Sequence, residues 1–298
     1  MKRTLLVILS MVAAVGAGFF CMHMVYAAYE TPIFDGWVLK LSPDSTLEEY
    51  INVPQREEIE IPSRAKRADG SVVVPILMYH HVRVIQPWHN GKERLYTVTP
   101  DVFEQQMEAI ADAGYDTITP DDLAKALENP DYPLPPKPIL LTFDDGHREH
   151  YTIVYPILKH LNLKATYFII TLSNKLKGYM NDEMIREVSD SGLITIGSHT
   201  RRHAALTRLG AEARKDEIGG SKQDLESLLG KAITSIAYPY GYQNAAIQKE
   251  AESMGYLLGL GIGPGSVHAK DNRYNLRRIQ INQTTNVVKA IEKFSNAK

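Results

Sequence analysis

The chain has 298 residues, 44% of them hydrophobic, which is enough for one large core or two small ones. A net charge of −2 carries no cationic footprint and argues against a nucleic-acid partner. The single cysteine, Cys21, lies in the N-terminal run, so disulfides contribute nothing to the rest of the fold.

Lys2 and Arg3 precede "TLLVILSMVAAVGAGFFCMHMVYAA", and no charged side chain follows until Glu30 when His23 is counted neutral. A basic start, an apolar run and small residues at its end form an export signal over residues 1–28, either cleaved near Ala27 or retained as an anchor. The run is also long enough to span a bilayer, which takes about 20 residues. Phe20 stands where a lipoprotein signal has a small residue, which argues against lipidation of Cys21. The expectation is an exported protein of the cell envelope or exterior that meets a membrane only through this segment. Residues 29–71 are rich in Pro, Glu and Lys and read as a stalk or N-terminal extension.

From residue 72 the pattern changes. "VVVPILMYH" is a β-branched, apolar strand. "TPDVFEQQMEAIADAG" predicts a helix with Thr99 as cap, Pro100 in the first turn and Val102, Phe103, Met107, Ile110 and Ala111 on one face. "KPILLTF" is the next strand. "EHYTIVYPILKHL" is a helix bent or restarted at Pro156, and "KATYFII" is a strand. "NDEMIREVSDSG" is a helix, "LITIGS" a strand, and "GAEARKDEIGGSKQDLESLLG" a helix with a weak point at Gly219-Gly220. "ITSIAYP", "YLLGLGI" and "LRRIQI" are strands; "NAAIQKEAESMG" and "NVVKAIEKF" are helices. Continuous apolar strands alternating with helices imply a parallel sheet covered on both faces. About seven βα units predict an α/β barrel over residues 72–298, with an open doubly wound sheet as the alternative. No Gly-rich phosphate fingerprint follows any strand.

Four polar clusters end four of these strands: "MYHH", "FDDG", "GSHTRRH" and "YPYG". The C-terminal ends of parallel strands share one rim, so the clusters converge there. His199 and His203 are four residues apart, and on a helical turn both imidazoles would share a face, as in a metal site. Two imidazoles and one carboxylate leave open positions on zinc or a similar ion. The adjacent Asp144 and Asp145 then have separate jobs, one as ligand and one as free base, and a nearby cation offsets their repulsion.

"TFDDG", "SHTRRH" and "YPYG" together resemble the motifs of the polysaccharide deacetylases of carbohydrate esterase family 4. The resemblance covers residues 72–298. It implies a distorted (β/α)7 barrel that removes N-acetyl groups from amino sugars with a divalent metal. Carried onto this chain, it makes Asp144 the general base, Asp145, His199 and His203 the metal ligands, and the Tyr240 N–H an oxyanion donor. Two departures stand out. Many members carry an arginine two residues before the Pro of "YPYG", and Ala237 occupies that position; Arg278 of "LRRI" is the candidate to orient Asp144 in its place. Pro239, Tyr240 and Arg278 are the expected substrate contacts. Many members also place an L-x-x-H near the C-terminus, whereas here it occurs early, as Leu77-Met78-Tyr79-His80. That order resembles the circularly permuted poly-N-acetylglucosamine deacetylases of biofilms and makes His80 the general acid. His81 is expected to pack behind the site or bond a backbone carbonyl, and His268 to lie in a loop with no strand to fix it.

The resulting expectation is a zinc hydrolase that releases acetate from N-acetylglucosamine-containing polysaccharide: poly-N-acetylglucosamine, peptidoglycan or chitin-like. The alternative is a carbohydrate-binding envelope protein without turnover, favoured by the missing arginine at Ala237. A glycosidase is disfavoured because its two carboxylates must stand about 5–9 Å apart across the sugar. Trp88, Arg201 and Arg202 read as ordinary loop surface, with sugar contact as the lesser alternative.

Overall fold

The computed structural model describes residues 65–295, together with the backbone of two paired strands, Ser10–Val12 and Cys21–His23. The rest of the expected export segment, and nearly all of the expected stalk, lie outside the described residues. No helix among the described residues is long and apolar enough to cross a membrane.

Eight strands build the main sheet: β1 Ile76–Tyr79, β2 Asp116–Thr117, β3 Pro138–Phe143, β4 Ala165–Ile169, β5 Ile194–Ser198, β6 Ser235–Ala237, β7 Leu258–Leu260 and β8 Ile279–Gln280. Seven follow the order β7-β6-β5-β4-β3-β1-β8, every neighbouring pair parallel, and β2 pairs with the start of β3. The run leading into β8 lies along β7: Leu276 N–H donates to the Gly259 carbonyl and Gly261 N–H to the Leu276 carbonyl, both at 2.9 Å. The sheet thus curls into the distorted (β/α)7 barrel expected from the sequence.

The helices are α1 Gly91–Leu95, α2 Pro100–Asp112, α3 Pro120–Glu128, α4 Tyr155–His160, α5 Asp182–Asp190, α6 Ala211–Lys215, α7 Ser221–Leu229, α8 Ala245–Ser253 and α9 Val287–Ser295. On α2, Phe103, Met107 and Ile110 are buried as expected, but the face includes Gln106 and leaves Ala111 exposed. Gln106 satisfies its amide by donating to the Asn282 and Thr285 carbonyls and accepting from Tyr79 Oη. Helix α3 was not predicted; its start is a capping box between Thr119 and Asp122. The helix expected to bend or restart at Pro156 does so: a π turn, His150–Val154, gives way to α4 with Pro156 in its first turn. A second π turn, Asp216–Gly220, lies at the Gly219-Gly220 weak point.

Period-two alternation assigns the strand faces. Leu77, Tyr79, Leu141, Phe143, Tyr167, Ile194 and Ile196 share one core with the helices. Ile76, Leu140, Phe168, Ala237, Leu258 and Leu260 form a second core. Continuing the second register past the strand ends reaches His80 after Ile76 and Met78, and Asp144 after Leu140 and Thr142. The barrel's own pleat therefore aims both side chains at the mouth.

The interior is tightly packed around Gly197. A Cβ added at Gly197 would stand 2.4 Å from the Phe168 ring and 2.9 Å from Ser235 Oγ. We expect Gly197→Ala to cost about 1–3 kcal/mol by overpacking. Thermal melting should then fall by several degrees, at roughly 2–4 °C per kcal/mol for a domain of this size. Gly91→Ala, where nothing lies within 4 Å, should not lower the midpoint.

Candidate active site

A cavity of about 570 Å³ opens at the C-terminal ends of the strands. His80, Asp144, Asp145, His199, His203, Tyr240 and Arg278 line it, so residues from four separated motifs and the last strand meet in one place. Pro239 was expected to touch substrate, but it is buried and is not among the lining residues. Its neighbour Tyr240 is 48% exposed with φ 60°, which lifts the residue onto the lip against the His203 ring.

Asp144 is 2% exposed and grips Arg278 through both oxygens: Nη1 to Oδ1 at 2.7 Å and Nη2 to Oδ2 at 2.8 Å. Arg278 is itself 1% exposed and donates Nε–H to the Gly261 carbonyl at 2.8 Å. A buried bidentate pair of this kind is strong and fixes geometry. Arg278 thus orients Asp144 from within the cavity lining. Burial would raise the Asp144 carboxyl, but Arg278 and His199 outweigh it and bring it down to about 2. The group's folded value is depressed, so its contribution to stability is complete above the ordinary carboxylate range and is lost as pH falls towards 2. Ala237 has no polar side chain to offer; its carbonyl instead accepts the His199 Nδ1–H at 2.7 Å.

That bond leaves His199 Nε2 facing Asp145 Oδ1 at 3.5 Å, and His203 Nε2 lies 3.6 Å from the same oxygen. His199 and His203 do not share a helical turn, as the spacing suggested. They meet through a loop in which Thr200 (φ 64°) and His203 (φ 59°) are left-handed. Asp145 is left-handed too, at φ 75°, and the turn continues through Gly146. The separations of 3.5 and 3.6 Å are close to the roughly 3.4 Å edge of a tetrahedron with bonds of about 2.1 Å, so the three residues fit a zinc-like ion. Charge agrees with geometry. Burial disfavours a charged His199, yet Asp144 and Asp145 raise it, so the two carboxylates call for a positive charge between them. His203 goes the other way: burial and His199 push it down to about 4, which keeps its nitrogen free to ligate at neutral pH.

His80 Nε2 stands 4.0 Å from Asp144 Oδ2, with its ring 4.6 Å from Tyr96. Behind it, His150 donates Nε2–H to the His80 carbonyl at 2.6 Å. His81 neither hides behind the site nor bonds a carbonyl; it lines the cavity, and its Nδ1 bonds Glu149 Oε1 at 2.8 Å. His268 is not loose. Its strand pairs with Val72–Val73, the side chain is 1% exposed, and Nε2 bonds the Val74 carbonyl at 2.9 Å. Arg201 is committed to Asp216 and Asp224, Arg202 to Asp216 and Glu217, and Trp88 lies outside the cavity. Tyr96, Tyr242 and Ile262 line the mouth without a motif to announce them. His147, Glu149 and His150 support the site from the stretch after "FDDG", where a run of polar residues carries no periodic signal.

Comparison with known proteins agrees with this geometry. The family model described as polysaccharide deacetylase matches residues 131–259, a span that includes Asp144, Asp145, His199, His203 and Tyr240 but neither His80 nor Arg278. The YxkH protein of Bacillus subtilis, named as a polysaccharide deacetylase, is 32% identical over 234 residues, 76% of this chain and 80% of its own. A poly-β-1,6-N-acetyl-D-glucosamine N-deacetylase of Staphylococcus aureus is 24% identical over 265 residues, 82% of this chain and 89% of its own. Among solved structures, the Streptococcus pyogenes deacetylase PplD in complex with acetate superimposes with a TM-score of 0.69 at 29% identity, over 76% of this chain and 99% of its own.

Proposed function

The chain belongs to the polysaccharide deacetylase family, and from that premise we propose that it is a zinc-dependent hydrolase releasing acetate from N-acetylglucosamine units of an extracellular polysaccharide. The observation that carries the reading is the meeting of an ionised base, a two-histidine, one-carboxylate donor set and a partly buried imidazole around one cavity. Poly-N-acetylglucosamine is the first substrate to test, because the Staphylococcus aureus relative is named for it; peptidoglycan and chitin-like oligomers share the acetamide. The apolar N-terminal run supports export to the envelope or exterior, with any membrane contact through that run alone.

Asp145, His199 and His203 would hold the ion. A divalent cation there would polarise a carbonyl and lower the pKa of water towards neutrality. Asp144, ionised and fixed by Arg278, takes the proton of the attacking water. The Tyr240 N–H donates to the developing oxyanion, a contribution of roughly 3 kcal/mol for one such donor. His80 gives a proton to the departing nitrogen. The C–N bond breaks, and acetate and a free amine leave. Ala237 was the feature that favoured a binding protein without turnover; with Arg278 forked on Asp144, that reason is gone.

The test is acetate release by the purified protein from each of the three polymers, with bound metal measured alongside. Chelation should abolish release, and zinc should restore it. Asp145→Ala and His199→Ala should lose metal and activity together. Full metal occupancy in either variant would remove that residue from the ligand set, and no acetate from any polymer would reject the proposed activity.

A further inference from the structure

We infer that His147 is a positioning residue that fixes which oxygen of Asp145 faces the metal; the inference rests on the ligand set proposed above. The two oxygens of Asp145 have separate neighbours. Oδ1 faces His199 and His203, and Oδ2 lies 3.2 Å from His147 Nε2. A carboxylate whose Oδ2 accepts that N–H cannot swing it towards the two ligand histidines without breaking the bond.

His147 can act as a fixed donor because it is itself held. Its side chain is 11% exposed. The ring stacks on His81 at 3.9 Å with planes 24° apart, and it lies 5.2 Å from Tyr179 and 5.6 Å from His150. His81 is tied in turn to Glu149 Oε1 at 2.8 Å. A continuous path of contacts therefore runs from Glu149 through His81 and His147 to the ligand carboxylate. Hydrogen-bond partners of metal ligands commonly set metal affinity in this way.

His81, His147 and Glu149 also bring donor atoms within 4.8 Å of one another. Their arrangement opposes a second ion. An ion bound by imidazole lies in the ring plane along the nitrogen lone pair, and two nearly parallel rings stacked at 3.9 Å do not share such a point. The facing nitrogens of both rings already have carboxylate partners.

The experiment is a zinc titration of the metal-stripped full protein against a competing chelator, with stoichiometry measured by metal analysis. Wild type should bind one ion per chain. His147→Leu, which keeps the volume but has no donor, should bind one ion about 10–100-fold more weakly. His147→Gln, which restores an N–H donor, should recover most of the affinity. Affinity in His147→Leu within about twofold of wild type overturns the inference while leaving the ligand set standing. Two ions in wild type and one in His147→Leu overturns it in favour of a second site. No zinc bound by wild type rejects the ligand set itself, and this inference with it. Should His147→Leu not fold, His147→Gln against His147→Glu carries the same test: the first keeps a donor, the second places an acceptor against Asp145, and equal affinities overturn the inference.

Discussion

Asp144→Asn should lower kcat by about 10²–10⁴-fold while bound metal stays near wild type, the range expected for loss of a general base. The amide keeps the shape of the carboxylate and an acceptor for one arm of Arg278, so the cavity should keep its form. It cannot take a proton from water. The base is ready in the wild type because Arg278 lowers its carboxyl to about 2 despite nearly complete burial, so Asp144 is ionised throughout the neutral range. The substitution also leaves the Arg278 guanidinium buried without a counter-charge, and breaking a buried pair from one side typically costs about 3–5 kcal/mol. A lower melting temperature is therefore part of the expected result. The measurement is kcat for acetate release per metal-loaded, folded molecule. Normal turnover per loaded molecule, with metal content lost, would mean that Asp144 is the ligand and Asp145 the base.

How much of this site was legible depended on whether a strand aimed it. His80 and Asp144 follow apolar strands in an unbroken period of two, so their placement over the mouth can be read from the chain. The histidine pair was legible by spacing but not by geometry. The sequence suggested a helical turn, while left-handed Thr200 and His203 bring the rings together in a loop. Arg278 could be inferred only from a vacancy, since Ala237 left Asp144 without its usual partner; nothing in "LRRI" distinguishes Arg278 from Arg277 until the strand register is known. Arg278 proves to be the buried one and Arg277 the exposed one. His147 had no signal at all. Its contact with Asp145 depends on the positive φ of Asp145 and Gly146, and its orientation on a stack with a residue 66 positions earlier. Helix α3 carried a legible start signal, the Thr119–Asp122 capping box, which precedes a segment of only nine helical residues.

His80→Ala should lower turnover of the N-acetylated sugar by about 10²-fold or more with metal content retained, as expected for loss of a general acid. His80 Nε2 stands 4.0 Å from Asp144 Oδ2, so the proton donor and the base flank the same small space. Burial pushes His80 down to about 4 against the pull of Asp144 and Asp145, so its imidazole is neutral at pH 7 in the resting site. It must therefore gain its proton during turnover, and the proton removed from water on the Asp144 side is the one at hand. An amine departs from a tetrahedral carbon only if its nitrogen is protonated, whereas the phenolate of an aryl acetate leaves without help. The loss on an N-acetylated oligomer should thus be far larger than the loss on an aryl acetate assayed with the same protein. His81→Ala and His268→Ala should not show that contrast. His81 is tied to Glu149, and His268 is buried against Val74 beside the short Val72–Val73 strand. Equal losses on both substrates in His80→Ala would mean that the residue only shapes the cavity. Near-normal turnover of the oligomer would remove it from the reaction, and with it the permuted-motif reading of "LMYH".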